Sequence, residues 1–337
     1  MVKIKKIENR RYIGNKTKLR DWIISTIQAE CETGGSFADI FAGTGTVSVA
    51  AAPHFEKIIL NDILHSNFVC HKAFFSNNNY NLVKLTKIIE KYNSLDHKRI
   101  KANYFSKNFG GKYFSKDVAK LIGFIRDDIE SKKNSLSEKE YYILLTSLIY
   151  SVDKVANTVG HYDAYIRKTP KSTDFSMFLI EPFYMGDVDI YQEDANELVL
   201  RIKADVVYID PPYNSRQYSR FYHLLETLIK WDSPELFGTA LKPETENSSD
   251  YCKSKAPDVF DNLVKRLDCK YIVVSYNNTY ASKSNSSRNK ISHDQIIKTL
   301  ESKGKTKTFK KSHKHFNAGN TDFADHQEWL FVTKVHE

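Results

Sequence analysis

Cysteine is scarce: Cys31, Cys70, Cys252 and Cys269 are the only four in 337 residues, and none forms a Cys-x-x-Cys pair. That argues against a disulfide framework and a zinc site, and suits a reducing cytosol. Long apolar runs are missing, so no stretch reaches the roughly 18 residues a membrane-spanning helix needs. The opening MVKIKKIENRRYIG is charged and lacks the apolar core of a secretory signal. No repeat recurs at periods of about 20 to 50 residues. His313, His315 and His326 lie in a basic, polar stretch and meet no metal-ligand spacing, so no metal is expected. Acid is outweighed: 50 Lys and Arg against 41 Asp and Glu give a net charge of +9, which favours a polyanionic partner.

What is present is an ordinary globular composition, 41% hydrophobic and 27% charged, which argues against global disorder. At roughly 150 residues per domain the length allows two domains, or one with a large insertion. Aromatics reach 13%, many beside Lys and Arg, where rings can stack on bases, although core packing accounts for most of them. Short β-branched apolar runs predict strands at Phe37–Phe41, Lys57–Asp62, Val188–Tyr191, Asp205–Asp210 and Tyr271–Tyr276, with a last pair at Thr306–Lys311 and Glu328–Lys334. Helices are expected at Lys16–Glu30, Thr46–Ala52, Ser66–Phe75, Ala195–Ile202, Tyr218–Lys230, Pro257–Leu267 and Ser292–Lys303. The alternation predicts a largely parallel sheet covered on both faces. Residues 77–185 break it, with helical pattern at Tyr80–Tyr92, Ser115–Ser131 and Ser137–Lys154, and read as a helical insertion between sheet segments 1–76 and 186–337.

FADIFAGTGTVS, residues 37–48, reads as strand, glycine turn and helix start. Gly43 and Gly45 let the backbone turn tightly and approach a ligand. Ser48 stands where a dinucleotide fingerprint needs its third glycine, and no Gly-Lys-Ser/Thr follows, so neither that motif nor a P-loop is present. Taken alone, a structural turn and a ligand site fit equally well. The next strand ends in Asp62, 23 residues after Asp39, where an acid can accept from ribose hydroxyls or cap a helix. Two carboxylates in the crevice suit a cationic ligand with a ribose, such as S-adenosylmethionine. The sharpest signal is VVYIDPPYNSRQY at 206–218. Pro211 and Pro212 cannot continue a ladder, so the strand stops at Asp210. An acid, a stiffened carbonyl and the flat face of Tyr213 at a strand's C-terminal end form a holder for a planar group bearing NH₂.

These motifs resemble, in kind and in order, those of the α-group (Dam-type) adenine-specific DNA methyltransferases of restriction–modification systems. The matching stretches are Tyr12–Leu19 (YIGNKTKL), Asp39–Gly45, Asp62, Asp194 and Asp210–Tyr213, with SRQYSRFYHLLETL after the last. One departure is Asn15, where the family has a second glycine. The resemblance implies a Rossmann-like class I methyltransferase: an α/β fold with a mixed seven-stranded sheet, helices on both faces and a helical insertion, here 77–185, for DNA target recognition. It implies that S-adenosylmethionine is held by Tyr12, Lys16, Asp39, Phe41, Gly43, Gly45, Asp62 and Asp194, with Lys16 near the methionine carboxylate and Asp194 on the adenine amino group. Asp210, Pro211, Pro212 and Tyr213 would hold a flipped target adenine in duplex DNA and methylate its exocyclic nitrogen. A cytoplasmic protecting partner of a restriction enzyme follows, linked to it functionally rather than physically. Lys107, Lys112, Lys116, Lys310 and Lys311 are the chosen phosphate contacts, with Lys305, Lys307 and Lys314 in the same C-terminal run. The alternatives are an amino-methylating cytosine enzyme, an RNA adenine methyltransferase and an inactive nucleic-acid-binding module.

Overall fold

A computed structural model describes residues 2–10, 12–96, 99–170, 174–281, 287–312 and 326–336. His313, Lys314 and His315 lie outside the described residues, as does part of the polar run at 282–290. In chain order the elements are β1 (Ile4–Lys5), α1 (Arg20–Glu30), β2 (Gly34–Asp39), α2 (Thr46–Ala51), β3 (Phe55–Asn61), α3 (His65–Phe75), α4 (Leu82–Asn93), α5 (Tyr104–Phe109), α6 (Lys116–Ser131) and α7 (Glu138–Val155). There follow β4 (Leu179–Ile180), β5 (Asp187–Tyr191), α8 (Ala195–Leu198), β6 (Ala204–Ile209), α9 (Tyr218–Phe221), α10 (His223–Lys230), α11 (Ala256–Arg266), β7 (Cys269–Asn277), α12 (His293–Glu301), β8 (Gly304–Ser312) and β9 (Gln327–Val335).

The chain divides into two units. The sheet unit comprises Gly14–Leu64, Met185–Tyr218 and Asn247–Glu337. Its seven strands run in the order β5-β3-β2-β6-β7-β9-β8, parallel except for β9, which pairs antiparallel with β7 and β8. Strand residues alternate between faces. Ala38, Ile40, Ile59, Val207, Ile209, Ile272 and Val274 pack under Leu198 of α8, Phe260 and Leu263 of α11 and Ile296 and Leu300 of α12. The opposite face carries buried Phe37, Ile58 and Tyr208 and is covered by α1 and α2. The chain builds outward from β2 through β3 to β5, then returns to β6 on the other side of β2. The carboxyl ends of β2 and β6 therefore flank the switch in strand order, the position at which open α/β sheets form a ligand crevice.

The helical unit comprises Met1–Ile13, His65–Tyr184 and Ser219–Glu246. It is larger than the expected 77–185 insertion, and the difference has a packing cause. Glu226 of α10 accepts from the His65 and Ser66 amides at 3.1 and 2.8 Å, satisfying orphan donors at the start of α3. Buried Arg126 of α6 donates to the Leu228 and Ile229 carbonyls, both at 2.9 Å, closing the other end of α10. Ser137 and Glu140 form a capping box at the head of α7. Buried Arg10 donates to Asn67 Oδ1 at 2.7 Å and faces the rings of Tyr12 and Tyr222. Tyr222 also ends the expected single helix Tyr218–Lys230: its ring stacks on Tyr12, with centroids 4.7 Å apart, and its hydroxyl accepts from the Ile13 amide at 2.8 Å.

Candidate active site

The apolar run of β6 ends at Ile209, and after Asp210 the two prolines Pro211 and Pro212 lack the N–H groups that would continue the ladder. The Tyr213 backbone is then fixed through its carbonyl, which accepts from the Lys290 amide at 2.8 Å and the Tyr276 hydroxyl at 3.1 Å. The Tyr213 ring packs on Tyr276, with centroids 4.6 Å apart. Lys16 comes from the turn before α1. The expected helix starts late, at Arg20, because Lys16–Leu19 forms a turn closed by Leu19 and Arg20 amides on the Lys16 carbonyl, each at 2.8 Å. Gly14, at φ +77°, opens that turn; an added Cβ would meet the Tyr218 hydroxyl at 2.8 Å. Asn15 stays out of the left-handed region, so a second glycine is not required there, and its side chain accepts from the Thr17 amide at 2.7 Å.

These elements bring Lys16, Asp210 and Tyr213 together. Lys16 Nζ lies 2.9 and 2.8 Å from the two Asp210 oxygens and 2.8 Å from the Tyr213 hydroxyl. Two further side chains, which the motifs do not contain, complete the cluster. Glu328 of β9 lies 2.6 Å from the Tyr213 hydroxyl and 3.5 Å from Lys16, and accepts from Ser275 of β7 at 2.6 Å. The signal for Glu328 was legible: it shares its strand face with buried Leu330 and Val332, where a carboxylate is out of place. Burial raises the Asp210 carboxyl above the usual range, with Glu328 adding and Lys16 opposing. Burial works against the Lys16 charge, but Asp210 and Glu328 hold it above the ordinary lysine value. The Tyr213 phenol is pushed well up by burial and the two acids.

A second group forms beside it. Gly43 and Gly45 take left-handed φ of +54° and +77°, which is why glycine stands at both. The Gly43 amide donates to Asp62 Oδ2 at 2.9 Å and the Leu64 amide to Oδ1 at 2.8 Å, so Asp62 ties the glycine turn to the end of β3. Asp39 is buried at the end of β2. Its Oδ2 accepts from Ser48 at 2.7 Å, while Oδ1 has no partner among the described residues. Burial raises this carboxyl to about 7, helped by Asp210 and Asp62 and opposed by the Ser48 bond. Phe41 meets Tyr251 edge to face at 5.1 Å. Asp194 is exposed and caps α8 through the Asn196 amide at 2.8 Å. Tyr12 belongs to the helical unit, where its hydroxyl accepts from Asn67 at 3.1 Å.

Lys107 and Lys116 are exposed on the helical unit and Lys112 is half-buried there. Lys310 and Lys311 are exposed on the edge strand β8, Lys310 over the Trp329 ring at 3.9 Å and Lys311 over Trp22 at 5.8 Å. His161 packs on Phe221 at 4.9 Å and accepts from the Asp163 amide, as in a turn. Among the described residues no group of His, Cys, Asp and Glu could hold a metal.

The profile of the D12 class N6 adenine-specific DNA methyltransferases matches residues 12–273. The chain belongs to this family. Two curated relatives agree: the Type II methyltransferase M.NlaIII of Neisseria lactamica is 31% identical over 94% of this chain and 95% of its own. Type II methyltransferase M.CviAII of Paramecium bursaria Chlorella virus 1 is 32% identical over 97% and 98%. The N-methyltransferase NodS of Bradyrhizobium japonicum WM9 is a remote structural likeness, with 8% identity and a TM-score of 0.35 over 96% of this chain and 99% of its own. As a D12 enzyme the protein is an adenine-specific DNA methyltransferase, and its sheet has the seven mixed strands that were expected.

Proposed function

We propose that the protein transfers a methyl group from S-adenosylmethionine to the exocyclic nitrogen of an adenine flipped out of duplex DNA. The observation that carries this is Asp210-Pro211-Pro212-Tyr213 at the carboxyl end of β6, beside the acids and glycine turn that end β2 and β3. S-adenosylmethionine fits these residues: buried Asp39 has an unpartnered oxygen, and Gly43 and Gly45 leave backbone without a Cβ. A cationic amino acid with a ribose suits such an acidic crevice. Asp62 would hold the ribose, Asp39, Phe41, Gly43 and Gly45 the methionine part, and Asp194 the adenine amino group, with Tyr12 and Lys16 as further contacts. When bound, the sulfonium supplies an electrophilic methyl group.

The chain's own contribution is positioning and electrostatics. The adenine amino lone pair is delocalised into the ring. Asp210 and the Pro211 carbonyl accept its two N–H bonds, draw the nitrogen towards tetrahedral geometry and return the lone pair to it. Pro212 keeps that carbonyl in place, and the Tyr213 ring stacks on the extruded base. Lys107, Lys112, Lys116, Lys310 and Lys311 meet backbone phosphates, and the helical unit reads the target sequence. The protein is the cytoplasmic guard of DNA against a cognate restriction endonuclease that it need not touch. Mass spectrometry of nucleosides from treated plasmid tests this. N6-methyladenine is expected from the wild-type chain and none from Asp210→Ala, with S-adenosylmethionine affinity of that variant kept within a few-fold. Methylated cytosine, or full adenine methylation by Asp210→Ala, overturns it.

A further inference from the structure

The proton given up by the adenine amino group needs an acceptor, and one carboxylate that is also clamping the nitrogen is a poor final store. The Tyr213 hydroxyl has a single proton, yet lies 2.5 Å from Asp210 Oδ1 and 2.6 Å from Glu328 Oε1. Asp210, the phenol and Glu328 therefore form one continuous row of short O–O contacts inside the sheet unit. Lys16 donates to the phenol oxygen at 2.8 Å and so leaves the phenol proton for the carboxylates. Ser275 fixes the far end by donating to the same Glu328 oxygen at 2.6 Å. Glu328 itself is 2% exposed, so its carboxylate is placed for this row and not for solvent.

We propose that Glu328 is a positioning residue for the methyl transfer that also stores the released proton, reached from Asp210 through the Tyr213 hydroxyl. This rests on the proposed function above. In the step, the amino lone pair forms the N–C bond while the C–S pair stays on the sulfur of the sulfonium donor. The nitrogen then sheds one proton to Asp210. Tyr213 takes it up and passes its own proton to Glu328, so that the phenol and Asp210 are restored and Glu328 ends as the neutral acid. The groups facing Glu328 are Lys16 from the turn before α1, Asp210 and Tyr213 after β6 and Ser275 on β7, and its charge also acts on Tyr208 of β6 and, from the other face of β9, on His293 of α12.

The test is Glu328→Gln, which keeps the size and a hydrogen-bonding end but cannot store the proton. Single-turnover kcat should fall at least tenfold, with KM for DNA and S-adenosylmethionine changed less than twofold. The acid limb of the kcat profile should move to lower pH, because the Glu328 charge that raises Asp210 is gone. Tyr213→Phe keeps Glu328 and cuts the row, so it reads the same step if the first variant does not fold; it too should lose at least tenfold in kcat. Wild-type kcat and pH profile in either folded variant overturn the proposal. A wild-type protein that forms no N6-methyladenine overturns the underlying reading instead.

Discussion

Asp62 uses both carboxylate oxygens before any ligand arrives, one on the Gly43 amide and one on the Leu64 amide. Asp62→Ala therefore removes a proposed ribose acceptor and the tie between two loops. Calorimetry should show S-adenosylmethionine affinity down by about 1.5–3 kcal/mol, the range for hydrogen bonds to charged groups; unchanged affinity in the folded variant would remove the ribose role. Asp39 makes a different prediction, about stability. Its carboxyl is raised by burial from an ordinary 3.8 to about 7, so between those values the folded chain holds a proton the unfolded chain has lost. The resulting penalty is absent below pH 4, grows through pH 4 to 7 and is complete above. Asp39→Asn removes it. In urea melts the variant should gain on wild type across that window by up to about 4 kcal/mol, and a pH-independent difference would show that Asp39 is not held protonated.

The glycine turn between β2 and α2 is the element with least freedom to change. Gly45 caps α2 in the left-handed region at φ +77°. Gly45→Ala should cost roughly 1–2 kcal/mol of stability from that conformation alone, measured by urea unfolding, and should weaken S-adenosylmethionine as well; an alanine variant as stable as wild type would mean the turn relaxes out of this geometry. Such turns and the strands around them were legible in the sequence. Each of the seven expected strands lies on an observed one; the central parallel strands β3, β2, β6 and β7 show because buried strands are short apolar runs that end abruptly, and the exposed edge strand β8 shows by its alternation of Thr and Phe with Lys. What could not be read was set by distant partners. Lys16 looked like a helix residue and instead begins the turn before α1, from which its side chain reaches Asp210. Tyr213 offered only its ring in the sequence, and its hydroxyl proved to contact Lys16, Asp210 and Glu328. Strands β1 and β4, two residues each, are too short for any periodicity.

For the whole molecule the same limit applies to the boundary between the units. An insertion is visible where strand pattern stops, near residue 77. No local pattern shows that α3 and residues 219–246 join the helical unit, because that follows from Glu226 and Arg126 bonding across long stretches of chain.

The net charge of +9 acquires meaning only through where the cations stand. Lys107, Lys112 and Lys116 lie on the helical unit, and Lys310 and Lys311 on the edge strand of the sheet unit, so each unit carries its own proposed phosphate contacts. Each neutralised phosphate releases counterions, and log K falls with log salt by about 0.9 per contact on B-DNA. Five contacts predict a slope of about −4.5 by fluorescence anisotropy between low and physiological salt. Lys310→Ala with Lys311→Ala should shallow it by about 1.8 and weaken all sequences alike, since phosphate contacts carry no sequence information. Both lysines lie over indole rings, so Gln in place of Ala keeps part of that packing and removes only the charge; the Gln pair should shallow the slope equally. An unchanged slope in both pairs would take β8 out of the DNA interface and leave the phosphates to the helical unit.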